Sequence, residues 1–371
     1  MTRVLILTAS YGSGHLAAAS ALAAAFREAG ADVTVVDHFR ELVHPLFARV
    51  SHALYPWVLR RAPFAWGLGY SLGDRMATES PLTLGVTRVG RHRLARMLRH
   101  LAPDVVVTVH ATPSAVMSSL REMGESVPAH TTVVTDFVAH SQWMARHVDR
   151  YCVAAEEVKH EYVARGIPPQ RIAVTGVPVA WAFERPLDPL EARRQLDLSA
   201  DTPVVLAMAG SYGSLGRLPD ATQALLRASR PVQGLIVCGL DATLQARLQR
   251  LAEGTRIRAL GYAHDVRLLM AASDILVTKA GGMTLAEATA AELPLILFGS
   301  LPGQERQNER FAARAGIALA ARSRAELTRL LERALSTQGL LERMRRRMRR
   351  LRRPDASRHI VDLVLERASA R

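Results

Sequence analysis

The sequence predicts two α/β domains, each a doubly wound parallel sheet with helices on both faces. The length of 371 residues exceeds what one hydrophobic core usually supports. Short apolar runs rich in β-branched residues alternate with helical segments, which is typical of parallel sheets buried on both sides. Pro178, Pro186 and Pro189 interrupt this alternation near the middle of the chain. We therefore predict a first domain over 1–178 and a second over 179–353.

The first series of predicted elements begins with a short apolar strand and an alanine-rich helix from His15 to Ala29, which Gly30 ends. The strands predicted for this domain are Arg3–Ala9, Asp32–Val36, Asp104–Val109, Thr131–Thr135, Arg150–Val153 and Ile172–Val174. Those predicted for the second domain are Val204–Met208, Gln233–Val237, Arg256–Leu260, Ile275–Val277 and Leu295–Phe298. Residues 354–371 are predicted as a C-terminal helix, with the hypothesis that it packs back on the first domain.

Composition excludes several classes of protein. An apolar content of 49% and a mean hydropathy of +0.06 are typical of a soluble globular protein. No apolar run approaches the roughly 20 residues that span a bilayer, and Met1–Ala9 is interpreted as a strand rather than a signal peptide. Cys152 and Cys238 lie in strand-like runs and are predicted to be buried thiols of a reducing compartment. We expect a cytoplasmic protein that associates peripherally with the inner face of the cell membrane.

The net charge of +14 indicates either an anionic partner or a general preference for arginine. Lys159 and Lys279 are the only lysines among 48 basic lysine and arginine residues, so composition bias explains part of the charge. A basic surface attracts anionic membranes and nucleic acids alike. Net charge does not separate these partners.

A segment from Leu341 combines apolar residues at helical spacing with many arginines, which predicts an amphipathic basic helix. Its arginines are Arg343, Arg345, Arg346, Arg347, Arg349, Arg350, Arg352 and Arg353. A solvated helix face, contact with acidic lipid headgroups and RNA binding all remain open. The segment lacks the interleaved aromatic residues that stack on bases, so we predict no nucleic-acid partner.

The segment His44–Arg99 departs from the strand and helix alternation and mixes aromatic with basic residues, including Trp57 and Trp66. Either it is an ordinary packed helical insertion, or it forms a surface that lies at a membrane interface or binds an acceptor substrate. Aromatic and basic side chains together suit the level of lipid headgroups.

A glycine loop follows the first predicted strand, with Gly12 and Gly14 directly before His15. Such a loop lets backbone N–H groups approach a ligand, and the helix that follows favours negative charge at its start. A helix N-terminus also lowers the pKa of a histidine, which keeps His15 neutral and able to accept a proton. A dinucleotide-binding loop is a weaker alternative, with Ala17 at the third glycine position and Asp37 near the end of the second strand.

Three more titratable groups follow strands of the first domain. Asp136 and His140 come after the strand Thr131–Thr135, and His110 comes after Asp104–Val109. Because parallel strands end at one rim, we expect these groups to lie near His15. An aspartate at such a rim can orient a histidine or act as a base, and it can also be a simple cap or turn residue.

The second domain offers loops suited to a nucleotide. Paired glycines follow the strand Ile275–Val277 and open a helix, with Lys279 before them and Glu287 about one turn inside. Free N–H groups at such a helix start hold anions, and a carboxylate can hold a ribose diol or complement the helix dipole. Two other loops at strand ends carry the remaining candidates, Gly210, Ser211 and Gly213 in one and Gln304, Glu305 and Asn308 in the other.

These motifs resemble the MGDG synthases and processive diacylglycerol glucosyltransferases, relatives of MurG. The resemblance covers nearly the whole chain. The stretches that carry it are Leu5–Ser10 with Gly12, Gly14 and His15, then Val133–Phe137 with Trp143 and Val148–Tyr151, Val174–Val179, Gly281–Ala288, and Pro302–Glu305 with Asn308.

The resemblance implies the GT-B fold, in which two Rossmann-like doubly wound domains face each other across a cleft and the C-terminal one binds the donor. It implies that Glu287 binds the ribose of a UDP-sugar and that Gln304 and Glu305 face the sugar. The residues implied at the diphosphate and uracil are Gly281, Gly282, Met283 and Thr284, and Tyr262 and Ala263. Gly14, His110 and His140 are expected on the acceptor side. Ser13 and Ala280 depart from residues common in the family, which bears on donor preference.

We therefore predict an inverting hexosyltransferase that moves a hexose from a UDP-sugar to a lipid acceptor such as diacylglycerol at a membrane surface. His15 or Asp136 is expected to remove the acceptor proton. The resemblance implies no cofactor and no catalytic metal, and the chain lacks an Asp-x-Asp pair for a divalent ion. The alternatives are a soluble glycosyltransferase with a small natural-product acceptor, a sugar-nucleotide-sensing or membrane-binding module without activity, and a nicotinamide dehydrogenase. The sequence leaves the oligomeric state open.

Overall fold

The structure is a computed structural model that describes residues 1–10, 13–43, 90–210 and 217–369, with only the backbone of Ser13 and Ser369. It contains two compact units. The N-terminal unit comprises residues 1–181 and 353–371, and the C-terminal unit comprises 182–352. The chain leaves the N-terminal unit three residues beyond the boundary predicted at 178 and returns to it after Arg352. Most of the predicted insertion, residues 44–89, lies outside the described ranges.

The N-terminal unit is built on a six-stranded parallel sheet in the order β2-β1-β3-β4-β5-β6. The strands are β1 (Arg3–Thr8), β2 (Asp32–Asp37), β3 (Val105–Thr108), β4 (Ala129–Val133), β5 (Arg150–Val153) and β6 (Ile172–Val174). Its α-helices are α1 (Ser13–Glu28), α2 (Arg91–Leu101), α3 (Ala111–Glu122), α4 (Glu156–Ala164) and α13 (Ala356–Ser369). Short helical turns of other types cover His38–Val43, Ser141–Trp143 and Pro169–Arg171, and a further one, Trp181–Glu184, spans the division.

Both faces of this sheet are buried, as the continuous apolar strands predict. Val4 and Ile6 of β1 point to one face, where they pack with Leu22 and Phe26 of α1. Leu5 and Leu7 point to the other face, against α2 and α3. Three apolar residues of α13 join the first of these clusters, namely Ile360, Val361 and Val364.

The C-terminal unit repeats this architecture with the strand order β12-β11-β10-β7-β8-β9, again all parallel. The strands are β7 (Val204–Met208), β8 (Gln233–Val237), β9 (Ile257–Leu260), β10 (Ile275–Thr278), β11 (Leu295–Phe298) and β12 (Ala318–Ala321). The helices are α5 (Pro189–Gln195), α6 (Leu218–Leu226), α7 (Ala242–Leu251), α8 (Val266–Ala271), α9 (Gly282–Ala290), α10 (Gln304–Ala315), α11 (Arg324–Ser336) and α12 (Leu340–Leu351). The two doubly wound sheets confirm the predicted fold class.

The arginine-rich segment forms the predicted amphipathic helix, α12. Met344 and Met348 are buried, while the arginines lie on the more exposed faces. Arg349 pairs with Glu292 and Glu342 at 2.6 Å each, so part of the charge is balanced within the unit. Arg346 and Arg350 are exposed and lie one turn apart.

Two further predictions concern the cysteines and the membrane. Cys152 and Cys238 are free and buried, and burial raises the pKa of the Cys152 thiol to about 12. Within the described ranges, no helix has the length and apolar character needed to cross a bilayer.

Candidate active site

The N-terminal unit brings two predicted histidines to the point where its strand order reverses. In the order β2-β1-β3, the chain turns to opposite sides of the sheet after β1 and after β3. Ligands of open α/β sheets bind at such switch points, beyond the carboxyl ends of the strands. His15 lies in the first turn of α1, the helix that follows β1. His110 follows β3 and is the N-cap of α3.

The hydrogen bonds of His15 define which ring nitrogen can accept a proton. Its Nδ1 lies 2.8 Å from the backbone carbonyl oxygen of Val109 and 3.2 Å from Oγ1 of Thr135. A carbonyl only accepts hydrogen bonds, so the neutral ring carries its proton on Nδ1 and donates it to Val109. This leaves the lone pair on Nε2, the arrangement that a general base requires.

The pKa of His15 is lowered from its ordinary value. Burial is the largest cause, while the negative charge of Asp136 and the hydrogen bond to Val109 act in the opposite direction. The direction agrees with the sequence-based expectation, but burial is the dominant cause. His15 is therefore neutral at pH 7 and able to accept a proton.

His110 has the complementary protonation. Its Nδ1 accepts a hydrogen bond from the backbone N–H of Thr112 at 3.1 Å, so a neutral ring carries its proton on Nε2. Burial, together with the neighbouring His15 and His38, holds the pKa of His110 well below its usual range. The His15 and His110 rings meet edge to face with centroids 4.7 Å apart. One neutral acceptor and one neutral donor thus lie in contact, which suits the binding of a hydroxyl group.

Asp136 lies three residues beyond the end of β4 and is almost fully buried. The indole Nε1 of Trp143 donates a hydrogen bond to its Oδ2 at 3.2 Å. The Trp143 ring also lies 6.1 Å from the His15 ring and 6.4 Å from the His110 ring, between centroids. The sequence indicates Trp143 only as part of a family motif, and the short separation of seven residues from Asp136 is its one sign of this contact.

The other acceptor-side candidates, Gly14 and His140, lie at the starts of helical turns. Gly14 precedes His15 in the first turn of α1. His140 is buried, and its Nδ1 accepts a hydrogen bond from the backbone N–H of Gln142 at 3.1 Å, which caps the turn Ser141–Trp143. Gly12 lies outside the described residues.

The dinucleotide-binding alternative required a free carboxylate at Asp37. Oδ1 of Asp37 accepts the backbone N–H groups of Phe39 and Arg40, both at 3.0 Å. Its Oδ2 accepts the hydroxyl of Ser10. Both oxygens are therefore committed to the protein, so Asp37 is not arranged to hold a ribose diol and the structure disfavours the dehydrogenase hypothesis.

The C-terminal unit has its own switch point between β10 and β7. Lys279 directly follows β10 and Gly210 lies two residues after β7. A Cβ placed on Gly210 would lie 3.8 Å from Cε of Lys279, so the lysine side chain passes beside the end of β7. Ser211 and Gly213, the other candidates of this loop, lie outside the described residues.

The N-terminus of α9 is shaped for a ligand. Gly281 caps this helix without a side-chain hydrogen bond and has an ordinary φ of −70°. Among the described residues, a Cβ added to Gly281 would come within 4 Å of Oγ1 of Thr284 alone, at 3.9 Å. Neither backbone strain nor packing against these residues requires a glycine here, and the open space leaves room for a ligand to approach the backbone closely. The first-turn N–H groups of Gly282, Met283 and Thr284 are the natural donors to an anion.

Glu287 lies in the second turn of α9 and has no partner among the residues that the structure describes. Within the described ranges it makes no side-chain hydrogen bond or ion pair. Burial raises its pKa from 4.5 to about 7. A carboxylate that is desolvated without hydrogen-bond donors costs free energy, and the two hydroxyl groups of a ribose could supply those donors.

The loop before α10 contributes a second carboxylate. Gly303 caps α10 with a φ of 98°, in the region that favours glycine. Glu305, in the first turn, pairs through Oε1 with the ammonium of Lys279 and accepts the N–H of Leu301 at 2.8 Å through Oε2. Gln304 begins the helix beside it.

Asn308 is fully buried, and its Nδ2 donates to the carbonyl oxygen of Ala280 at 3.2 Å. It therefore fixes the backbone that leads into the Gly281 turn. Tyr262 and Ala263 follow β9 at the edge of the sheet, where Tyr262 is 53% exposed and its ring lies 5.1 Å from that of His264. An exposed aromatic ring is available for stacking on a base.

Potential metal ligands do not cluster in the parts of the chain that the structure describes. None of their His, Cys, Asp and Glu residues form a group of three or more that could hold an ion.

Comparisons with known proteins match both units. The sequence-family model of the monogalactosyldiacylglycerol (MGDG) synthases matches residues 15–179. The family model of the glycosyltransferase family 28 C-terminal domain matches residues 204–358. A processive diacylglycerol β-glucosyltransferase of Bacillus mycoides is 32% identical over 366 residues, which are 98% of this chain and 93% of that protein.

Solved structures share the fold at lower identity. Acinetobacter baumannii MurG superposes with a TM-score of 0.68 and 18% identity, covering 99% of this chain and all of that one. Staphylococcal MnaA in complex with UDP (S. aureus) superposes with a TM-score of 0.65 and 14% identity, covering 97% of this chain and 95% of that one.

The fold and the matches to both units define the class of protein. It is a glycosyltransferase of GT-B fold, a hexosyltransferase of the UDP-sugar-dependent class. Since the similarity to the diacylglycerol glucosyltransferases extends over nearly the whole chain, the protein belongs to the family of the MGDG synthases and processive diacylglycerol glucosyltransferases.

Proposed function

We propose that this protein is an inverting, metal-independent transferase that moves a hexose from a UDP-hexose to a lipid hydroxyl, such as that of diacylglycerol, at a membrane surface. The observation that carries the donor half is the Glu287 carboxylate, which lies one turn inside a glycine-capped helix and has no partner among the described side chains. The acceptor class is supported by the relatives of this chain, which are diacylglycerol glucosyltransferases.

In the donor half of the proposed reaction, the ribose hydroxyls donate to the Glu287 carboxylate. The diphosphate accepts hydrogen bonds from the N–H groups of Gly282, Met283 and Thr284, where the helix dipole favours negative charge. Gln304 and Glu305 face the sugar, and Tyr262 and Ala263 meet the uracil. A protein of the same fold, MnaA, has been solved with UDP, which supports this choice of nucleotide.

In the acceptor half, His15 is the general base and Asp136 stabilises its protonated form. The acceptor oxygen forms a bond to the anomeric carbon as the bond from that carbon to the diphosphate oxygen breaks. The acceptor proton moves to Nε2 of His15, and UDP leaves with the electron pair of the broken bond. One direct displacement inverts the configuration at the anomeric carbon.

No divalent ion is needed in this proposal, because fixed groups offset the charge of the departing UDP. Preorganised N–H donors act on charge that develops in the transition state, and they need no reorganisation when the bond breaks. The Lys279 ammonium adds a positive charge at the same strand end. For the membrane surface, the support is the basic character of the chain and exposed arginines such as Arg346 and Arg350 on α12.

The test is product analysis with a panel of UDP-hexoses and liposomes that contain diacylglycerol and anionic lipid, in the presence of EDTA. We expect a β-linked hexosyl diacylglycerol, with its anomeric configuration read by NMR. An α-linked product would contradict inversion, and loss of transfer in EDTA would contradict metal independence. Transfer only to soluble acceptors, without sedimentation on anionic liposomes, would favour a natural-product glycosyltransferase.

The lowered pKa of His15 predicts the pH dependence of turnover. The base must be neutral, so kcat should fall as the pH drops through the pKa of His15, and this acid limb should lie below the ordinary histidine value of about 6.5. Because Asp136 favours the charged ring, Asp136→Asn should move the limb to still lower pH. A limb above 6.5, or no shift in this variant, would contradict the assignment of His15.

A further inference from the structure

The ion pair between Lys279 and Glu305 joins two loops at the switch point of the C-terminal unit. Lys279 directly follows the strand β10, and Glu305 lies in the first turn of α10. Both side chains are mostly buried, with 21% and 15% of their surfaces exposed. The second carboxylate oxygen of Glu305 accepts the N–H of Leu301 at 2.8 Å, so the carboxylate is anchored independently of the lysine.

A purely stabilising role does not account for this pair. A partly buried ion pair loses much of its Coulomb energy to desolvation. A chain whose 48 basic residues include only two lysines would satisfy a structural pair with arginine, which holds a carboxylate through two hydrogen bonds. Lysine instead offers a compact charge on a flexible stem that can change partners.

The position of the lysine stem supports a second partner. Its Cε lies 3.8 Å from where a Cβ on Gly210 would be, so the stem passes beside the end of β7 at the switch point. Gly281, two residues further on, caps α9 without a side-chain hydrogen bond, and the N–H groups of such a helix start can hold an anion. The backbone between them is held by Asn308, which donates to Ala280 at 3.2 Å. The ammonium can therefore move while its main chain stays in place.

We infer that binding of a nucleoside diphosphate breaks the Lys279–Glu305 ion pair. The Lys279 ammonium moves to the outer phosphate, the one farther from the ribose, and Glu305 is left to accept hydrogen bonds from the donor sugar. This inference rests on the proposed function, since it concerns the same donor site. Lys279 then distinguishes a nucleoside diphosphate from a monophosphate. It also couples the two parts of the donor, because Oε1 of Glu305 becomes available to the sugar only when the diphosphate holds the ammonium.

The exchange also explains how the donor site can bind both an anionic diphosphate and the hydroxyls of a sugar next to the Glu305 carboxylate. A free carboxylate near the diphosphate would repel it, whereas the sugar hydroxyls need that carboxylate as an acceptor. In the unliganded protein Glu305 is neutralised by Lys279. In the complex the ammonium stands between Glu305 and the outer phosphate, where it offsets the charge that grows on the leaving group.

Calorimetric titration of the full-length protein with UDP, UMP and a UDP-hexose tests the inference. Lys279→Met is expected to weaken UDP binding about 10- to 100-fold, the range of one charge-assisted hydrogen bond, and to change UMP binding by less than about threefold. Lys279→Arg should keep a preference for UDP over UMP. Lys159→Met removes the only other lysine, which lies in the N-terminal unit, and should change neither affinity.

Glu305→Gln gives the opposite result if the pair exchanges. Releasing Lys279 and removing a negative charge should tighten UDP binding about threefold or more, while the added affinity of a UDP-hexose over UDP should be lost. Equal losses of UMP and UDP affinity in Lys279→Met, or weaker UDP binding in Glu305→Gln, would show a structural pair and overturn the inference. Absence of UDP binding to the unmodified protein would overturn the proposed function itself, and the inference with it. Thermal melting of each variant confirms that it is folded.

Discussion

Glu287→Gln is expected to weaken UDP binding by about 100-fold or more while making the unliganded protein more stable above neutral pH. The binding loss follows because an amide replaces a carboxylate that would accept two ribose hydroxyls, and each charge-assisted hydrogen bond contributes about 1.5–3 kcal/mol. The gain in stability follows from the burial of Glu287, which no described group offsets with a hydrogen bond. Calorimetric titration with UDP and thermal denaturation between pH 5 and 9 measure the two effects.

The sign of the stability effect comes from the direction of the pKa shift. The pKa of Glu287 is raised from 4.5 to about 7 in the folded protein. The favourable contribution of Glu287 to the free energy of unfolding is therefore fully present below pH 4.5 and is lost as the pH rises through about 7. The shift corresponds to about 3 kcal/mol at most, so Glu287→Gln should melt at a higher temperature at pH 8–9 and nearly the same temperature at pH 5.

A matched control is Glu253→Gln, which removes an exposed carboxylate from the same unit and should change neither UDP binding nor the pH dependence of melting. Unchanged UDP affinity in Glu287→Gln would remove Glu287 from the donor site. A stability gain at pH 5 equal to that at pH 9 would show that the effect is not ionisation.

Much of the fold can be predicted from the sequence, because most strands are short apolar runs that are recognisable without knowledge of their partners in the sheet. Eleven of the twelve strands lie at least partly in segments that the sequence predicts as strands, but the sequence does not indicate β12, since Ala318–Ala321 is as typical of a helix as of a strand. It becomes a strand through pairing with β11, where Ala318 aligns with Leu295. This is a tertiary effect that overrides local propensity.

The candidate sites were predictable in part for a topological reason. Every strand of a parallel sheet ends at the same edge, so polar residues after strands point to one rim. The sequence does not show which strands are neighbours. The contact from His15 to Val109 joins residues 94 positions apart, and it alone assigns the proton to Nδ1. Asn308 illustrates the same limit, because the sequence does not show that its Nδ2 donates to the carbonyl oxygen of Ala280, 28 positions away.

His15→Ala is expected to lower kcat by about 10²- to 10⁴-fold, the usual contribution of a general base. UDP affinity should stay unchanged, because the proposed nucleotide contacts all belong to the C-terminal unit. The acid limb of the pH–rate profile should disappear with the base, and added imidazole should restore part of the rate. Steady-state kinetics with a saturating UDP-hexose and a calorimetric UDP titration separate the two parameters.

The control for this variant is His100→Ala, an exposed histidine on α2 of the same unit, which should retain full turnover. Thr135→Val gives a graded test, because it removes the hydroxyl 3.2 Å from Nδ1 but keeps the Val109 carbonyl at 2.8 Å. If Val109 alone fixes the ring, Thr135→Val should lose only a small part of the rate and keep the acid limb. Full activity in His15→Ala, with Asp136→Asn inactive, would instead assign the base to Asp136, whose carboxylate would then act directly on the acceptor hydroxyl.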